Sequence, residues 1–296
     1  MTATDYRTRA DRARRAIADQ TSGPGYFDLF WTGVAGFFTL LALIPLVLVL
    51  AYVVFRGFSR LNWAAFTQLP PPPLAPDQGG FANALIGTLI MVGIGALVSV
   101  PFGVLAAVYL SEFSQGQVPR WIRFATNVLS GVPSILMGVF IYGLFVITTG
   151  TYSAVAGGFA LGVLMLPIIV RTTDESLQIV PKQVRWAAIG MGASKFQTVL
   201  RVVLPAALPA IATGLTLAVA RAAGETAPLL FTALFSQYWL DSLLQPTASL
   251  SVLVYNFARV PYEGQQRLAW AAALILVGIV MLTSILSRWA TRKQIY

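Results

Sequence analysis

The chain has 296 residues, 57% hydrophobic and only 10% charged, with a formal net charge of +9 and neither Cys nor His. Soluble domains average about 25% charged residues, so this composition points to lipid as the surrounding solvent. Without Cys or His the chain has no thiol nucleophile, no disulfide and none of the usual imidazole chemistry.

The first 28 residues are polar and basic, with Arg7, Arg9, Arg12, Arg14 and Arg15. They precede an uncharged run at 29–55. That run exceeds the roughly 20 apolar residues a crossing needs and is far longer than a signal-peptide core. It reads as a retained membrane helix. A second uncharged run covers 81–111, and a third, 124–170, is too long for one crossing. "TTGT" at 148–151 divides the third run with a polar turn. The run at 202–235 is broken only by Arg221 and Glu225, and the last covers 268–287. Six spans follow, near 29–55, 82–110, 125–148, 152–170, 206–235 and 268–287. The fold class is therefore all-α, a polytopic membrane protein.

Cytoplasmic loops carry the excess of Lys and Arg. With the N-terminus inside, fifteen of the twenty basic residues fall on the inner side and four in outer loops. Both termini are thus expected in the cytoplasm. Topology and attraction to anionic lipid account for the positive charge, and no nucleic acid is needed. "PPPP" at 70–73 falls in the first outer loop, where such a run favours a stiff spacer.

In the second span, Gly, Ala and Ser recur at near-helical spacing, and Gly158 and Gly162 repeat the pattern in "GGFALG". Small residues let helix backbones approach in lipid, where Leu against Leu gains little over Leu against lipid. The pattern predicts a compact bundle. The segment 171–204 is too polar to cross and too periodic to be a tail. Val184, Ala187, Ala188, Met191 and Phe196 suggest an amphipathic helix, Gly190 and Gly192 break it, and Phe196, Val199, Leu200 and Val203 suggest a second. A helix lying on the bilayer surface would share this pattern. A Gly bend between two short helices favours a shaped docking element.

The stretch "WAAIGMGASKFQTVLRVVLP" resembles the EAA loop of ABC importer permeases of the type I, MetI-like family. The match falls on Ala187, Ala188, Gly192, Ala193, Ser194, Leu204 and Pro205, and Trp186 stands where the family has Glu. "VLSGVPSILMGVF" at 128–140 and "ARAAGETAPLLFTALF" at 220–235 are similar to the PstA-type permeases of phosphate importers. The resemblance implies an ABC permease core at 80–288 with five helices, following a first helix at 29–56. It places a cytoplasmic coupling loop at 171–204 and a short inner tail at 289–296. It implies a bacterial inner membrane and docking of Trp186, Ala187, Ala188, Gly192, Ala193 and Ser194 on separate ATPase subunits (PstB-like). It further implies a second permease (PstC-like), a phosphate-binding protein (PstS-like) and inorganic phosphate as cargo.

No P-loop is present, since Lys195 in "GMGASKF" is followed by Phe, and no acidic cluster suits magnesium. The chain is accordingly expected to be no enzyme and to carry no cofactor or metal. The remaining candidates lie in the fifth span. Arg221 falls twelve residues after Pro209, about 18 Å along a helix. An ionisable side chain at that depth usually faces a bundle interior or a wet path. Arg221 and Glu225, four apart, share a helix face, with Gly214, Ala218 and Gly224 on or beside it. Arg221, Glu225 and Thr226 are the substrate-path candidates, because a guanidinium fork suits phosphate oxygens. A self-neutralising structural pair is the competing reading. A proton-coupled secondary transporter using Glu225, or an ABC permease for another oxyanion, remains open at this level.

Overall fold

The computed structural model describes residues 25–73 and 78–292. The five tail arginines and Lys293 lie outside the described residues. Every regular element among the described residues is helical. In chain order these are α1 Tyr26–Phe58, α2 Trp63–Thr67, α3 Ala82–Val108, α4 Gln117–Gly131, α5 Ser134–Ile141 and α6 Ala154–Ile179, followed by α7 Lys182–Gly190, α8 Lys195–Thr198, α9 Leu204–Ala223, α10 Ala227–Thr232, α11 Leu250–Ala258 and α12 Glu263–Arg292. Single π turns extend α3 at Tyr109–Phe113 and α5 at Tyr142–Val146, and another at Val199–Val203 joins α8 to α9.

The chain divides into two compact units, Met1–Tyr52 and Val53–Tyr296. The first holds most of α1, whose Phe30, Leu41 and Leu48 are all exposed. A helix apolar on every side and bare of protein cover is suited to lipid.

In the second unit α3 and α6 are the central pair. One stripe of α3, Met91, Gly95, Ser99, Gly103 and Ala107, is buried at four-residue intervals. A Cβ built on Gly95 would meet Gly158 O at 3.0 Å and Gly162 N at 3.1 Å, and one on Gly103 would meet Ile169 Cγ2 at 2.7 Å. The contacts advance together along both helices, so α3 and α6 run parallel. The small-residue pattern expected from sequence is therefore a backbone-to-backbone seam. Helix α9 returns antiparallel along α6, with Gly214 seated against Thr172.

Three segments differ from the sequence expectation. The span expected at 125–148 is bent by 100° between α4 and the segment Ser134–Thr149. Pro133 lacks an N–H, and Val132 before it is extended at φ −71°, ψ 131°. A residue preceding proline disfavours the helical region. Helix α6 does not stop near 170 but runs on to Ile179. Its charged last turns persist because Asp174 is tied to Arg123 of α4 at 2.7 and 2.9 Å. Finally, the span expected at 206–235 ends as a helix at Ala223, capped by Gly224, with Pro228 opening α10.

The irregular backbone after α10 is not left to lipid. Ser153 N donates to Thr232 O at 3.0 Å, Val155 N to Leu243 O at 3.2 Å and Thr247 N to Ala233 O at 3.0 Å. Non-helical backbone at membrane depth persists only under such protein cover or beside a wet cavity. The proline run is likewise not a free spacer. Pro70 and Pro71 are buried, and Pro71 O accepts from Gln265 Nε2 of α12 at 3.1 Å; residues 74–77 of this loop lie outside the described residues.

The seam makes a direct prediction. A Cβ on Gly158 would stand 2.5 Å from Ile94 Cγ2 and 2.6 Å from Ile94 Cβ, and the latter cannot rotate away. Gly158→Val should destabilise the folded chain by about 1–3 kcal/mol, as overpacking does. Gly278→Val, with nothing near its Cβ, should change stability little. Thermal unfolding in detergent compares the two.

Candidate functional site

Two places collect the sequence candidates. The first is the break after α9. The face of α9 toward α6 is Ala207, Ile211, Gly214, Ala218 and Ala222, all buried. The opposite stripe, Ala206, Ala210, Thr213, Leu217 and Arg221, is exposed. Gly214 thus packs on Thr172 of α6, while Ala218 and Ala222 sit between α6 and the Arg221–Glu225 pair. Leu164, Met165 and Ile168, about halfway along α6, close the space next to Arg221 and Glu225.

Glu225 and Thr226 are not on the helix that carries Arg221, since glycine at the C-cap ends it first. The loop still brings Glu225 back, and Arg221 Nε lies 3.7 Å from Glu225 Oε1. That is an ion pair longer than a hydrogen bond. The Arg221 side chain is 56% exposed and that of Glu225 16%. Ser251 of α11 holds the loop by donating from Oγ to Glu225 O at 2.7 Å. Arg221 also occupies the last turn of α9, where a cation meets the negative end of the helix dipole. The guanidinium is therefore accommodated at the end of α9 while more than half of the side chain stays exposed. Thr226 is half-buried at the start of α10.

The second place is the short helix pair α7 and α8. Gly192 has φ +90°, the left-handed conformation glycine adopts readily. Ala193 N donates to Ala188 O at 3.1 Å and Gly192 N to Ile189 O at 2.9 Å. These two bonds are a Schellman closure of α7, with Gly192 just past the helix end. Ser194 then opens α8 with a reciprocal capping box to Gln197, at 3.2 and 2.9 Å. Ala188 is buried beneath the turn. Ala188, Gly192, Ala193 and Ser194 thus build the bend itself. Trp186, Ala187 and Met191 face outward, Trp186 being 65% and Met191 86% exposed. Of the four residues expected to mark the second helix, Val199 and Val203 are buried while Phe196 and Leu200 are exposed.

Sequence reasoning missed two ion pairs between distant segments. Arg185 of α7 binds Glu112 in the π turn after α3, 73 residues away. Arg123 binds Asp174, 51 residues away. Nothing local in the sequence joins such distant partners. Among the described residues no cluster of acidic groups could hold a metal ion.

Residues 99–296 match the family described as binding-protein-dependent transport system inner membrane component. The chain is 41% identical over 235 residues to a phosphate transport system permease protein PstA of Xylella fastidiosa, covering 79% of this chain and 81% of that one. It is 39% identical to the PstA of Haemophilus influenzae, covering 86% and 90%, and 38% identical to PstA 1 of Mycobacterium tuberculosis, covering 90% and 86%. Its fold is similar to a chain of the inward-facing MetNI methionine ABC transporter, with TM-score 0.57 and 21% identity over 72% of this chain and 94% of that one. A bacterial alginate ABC transporter gives 0.59 at 12% identity, over 89% and 97%. This helical, multi-pass inner-membrane protein belongs to the family of binding-protein-dependent transport system inner membrane components, with the MetI-like ABC permease fold.

Proposed function

We propose that the chain is the transmembrane permease subunit of an ATP-driven phosphate importer. The observation that carries this is its relationship to phosphate transport system permeases over 79% to 90% of its length. ATP hydrolysis is assigned to separate ATPase subunits (PstB-like). A second permease (PstC-like) completes the path, and a phosphate-binding protein (PstS-like) delivers the anion. The secondary-transporter reading is disfavoured, since a lone carrier has no use for a shaped cytoplasmic helix pair.

Within this reading Arg221 meets phosphate transiently from the exposed stripe of α9. Its loose contact with Glu225 supports that role. A guanidinium fully engaged by carboxylate would have no fork to offer, and an isolated one would hold the anion too long. Glu225 weakens the grip, and Thr226 adds a hydroxyl at the same level. The test is labelled-phosphate uptake by the reconstituted complex, with sulfate and molybdate as competitors. Arg221→Gln with Glu225→Gln should assemble yet transport nothing measurable. Normal uptake by a well-expressed double variant would show that the pair serves only packing.

The α7 and α8 pair is assigned to docking on the ATPase, with Trp186 and Ala187 at its outward face. Any side chain at Gly192 must take a left-handed backbone at a cost of roughly 1–2 kcal/mol. Gly192→Trp should leave the chain in the membrane but lower transport, substrate-stimulated ATP hydrolysis and copurification of the ATPase together. Unchanged copurification with unchanged transport would refute the docking role.

Both termini are placed in the cytoplasm on the distribution of Lys and Arg. The chain has no native Cys, so single cysteines report sidedness cleanly. Pro73→Cys should react with an impermeant thiol reagent applied to spheroplasts, and Met191→Cys should not. The reverse pattern would invert the topology.

A further inference from the structure

Arg185 stands one residue before the outward Trp186, yet its side chain turns inward. Its Nη2 and Nε donate to Glu112 Oε1 and Oε2 at 2.6 and 3.2 Å. The same Nη2 donates to Leu177 O at 2.8 Å, and Nη1 donates to Val180 O. Glu112 belongs to the π turn that ends α3, Leu177 to the last turn of α6, and Arg185 to α7. One guanidinium therefore joins three segments. The Arg185 and Glu112 side chains are only 18% and 8% exposed. The next residue of the π turn, Phe113, lies under Lys195 of α8 at 5.4 Å. Both cytoplasmic helices are attached to the same five-residue turn.

We propose that the clasp of Arg185 on Glu112, Leu177 and Val180 is the stiff joint that passes displacement of α7 to α3 and α6. This rests on the docking role assigned to α7. Arg185 and Glu112 are then positioning residues for transport and not part of the docking face. A fork held by two carboxylate oxygens fixes orientation as well as distance. The two carbonyls anchor the other edge of the guanidinium to the end of α6. Rotation of α7 against α3 would break several of these bonds at once. Beyond the joint, α3 and α6 meet along their glycine seam, so motion delivered to one inner end is shared by both helices. Lysine would keep the charge but lose the planar fork.

The experiment uses the complex of the permease pair, ATPase and binding protein in vesicles, measuring labelled-phosphate uptake and ATP hydrolysis in one preparation. Glu112→Gln removes the charge at constant size, and Arg185→Lys removes the fork. With either, the ATPase should copurify normally and phosphate moved per ATP should fall about tenfold, within the usual range of coupling between sites. An unchanged ratio, or a loss explained wholly by missing ATPase, overturns the joint. A readout free of phosphate separates this from failure of the transport reading. Spin labels at Tyr109→Cys and Met191→Cys, both exposed, should keep one narrow distance through the ATP cycle. Glu112→Gln should broaden that distribution, and identical distributions with and without the carboxylate would rule the joint out even if no phosphate moves.

Discussion

The contact on which the rest of the bundle depends is the parallel seam between α3 and α6. In lipid there is no hydrophobic gain from bringing two apolar helices together, so association depends on how closely their backbones approach. Gly95 faces Gly158 and Gly162, with a would-be Cβ only 3.0 Å from a carbonyl oxygen. Because α6 is thereby held at the centre, its remaining faces are free to receive α4, α9 and α10. The buried groups of α6 run from Ala154 to Leu177. Among the five long apolar helices of the described residues it is the most fully covered.

The charged residues divide by how tightly they are held. Near the C-terminal ends of α3 and α6, Arg123 with Asp174 and Arg185 with Glu112 make two-point contacts at 2.6–3.2 Å. Such forks lock the relative orientation of helices that otherwise touch through apolar side chains. Halfway up the bundle, Arg221 and Glu225 are 3.7 Å apart, and Arg221 is largely open. The geometry is loose at the pair proposed to meet the anion, and stiff at the proposed joint.

Helix breaks are placed where backbone groups find other partners. The α9 helix ends at Gly224, and the chain behind it bonds to the first turns of α6. The bend at Val132 and Pro133 similarly divides what length alone would make one span. Both breaks coincide with glycine and proline in the sequence, so the local cause is visible there. Their consequence is not, because whether a break makes a bent span or a loop depends on what covers the freed backbone.

The helical class, the apolar spans, the close-packing glycines and the glycine bend after α7 were legible in the sequence, because each is a local property. Hydropathy over some twenty residues makes a span, and a glycine at the right offset closes a helix. Gly192 and Gly158 have the places their neighbours alone predicted. Tertiary structure decided the partners. It turned Gly214 and Ala218 toward α6, put Arg221 on the open stripe, ended the fifth helix before Glu225, and brought Arg185 to Glu112 across 73 residues. Periodicity states which residues share a face, but only packing states what that face meets.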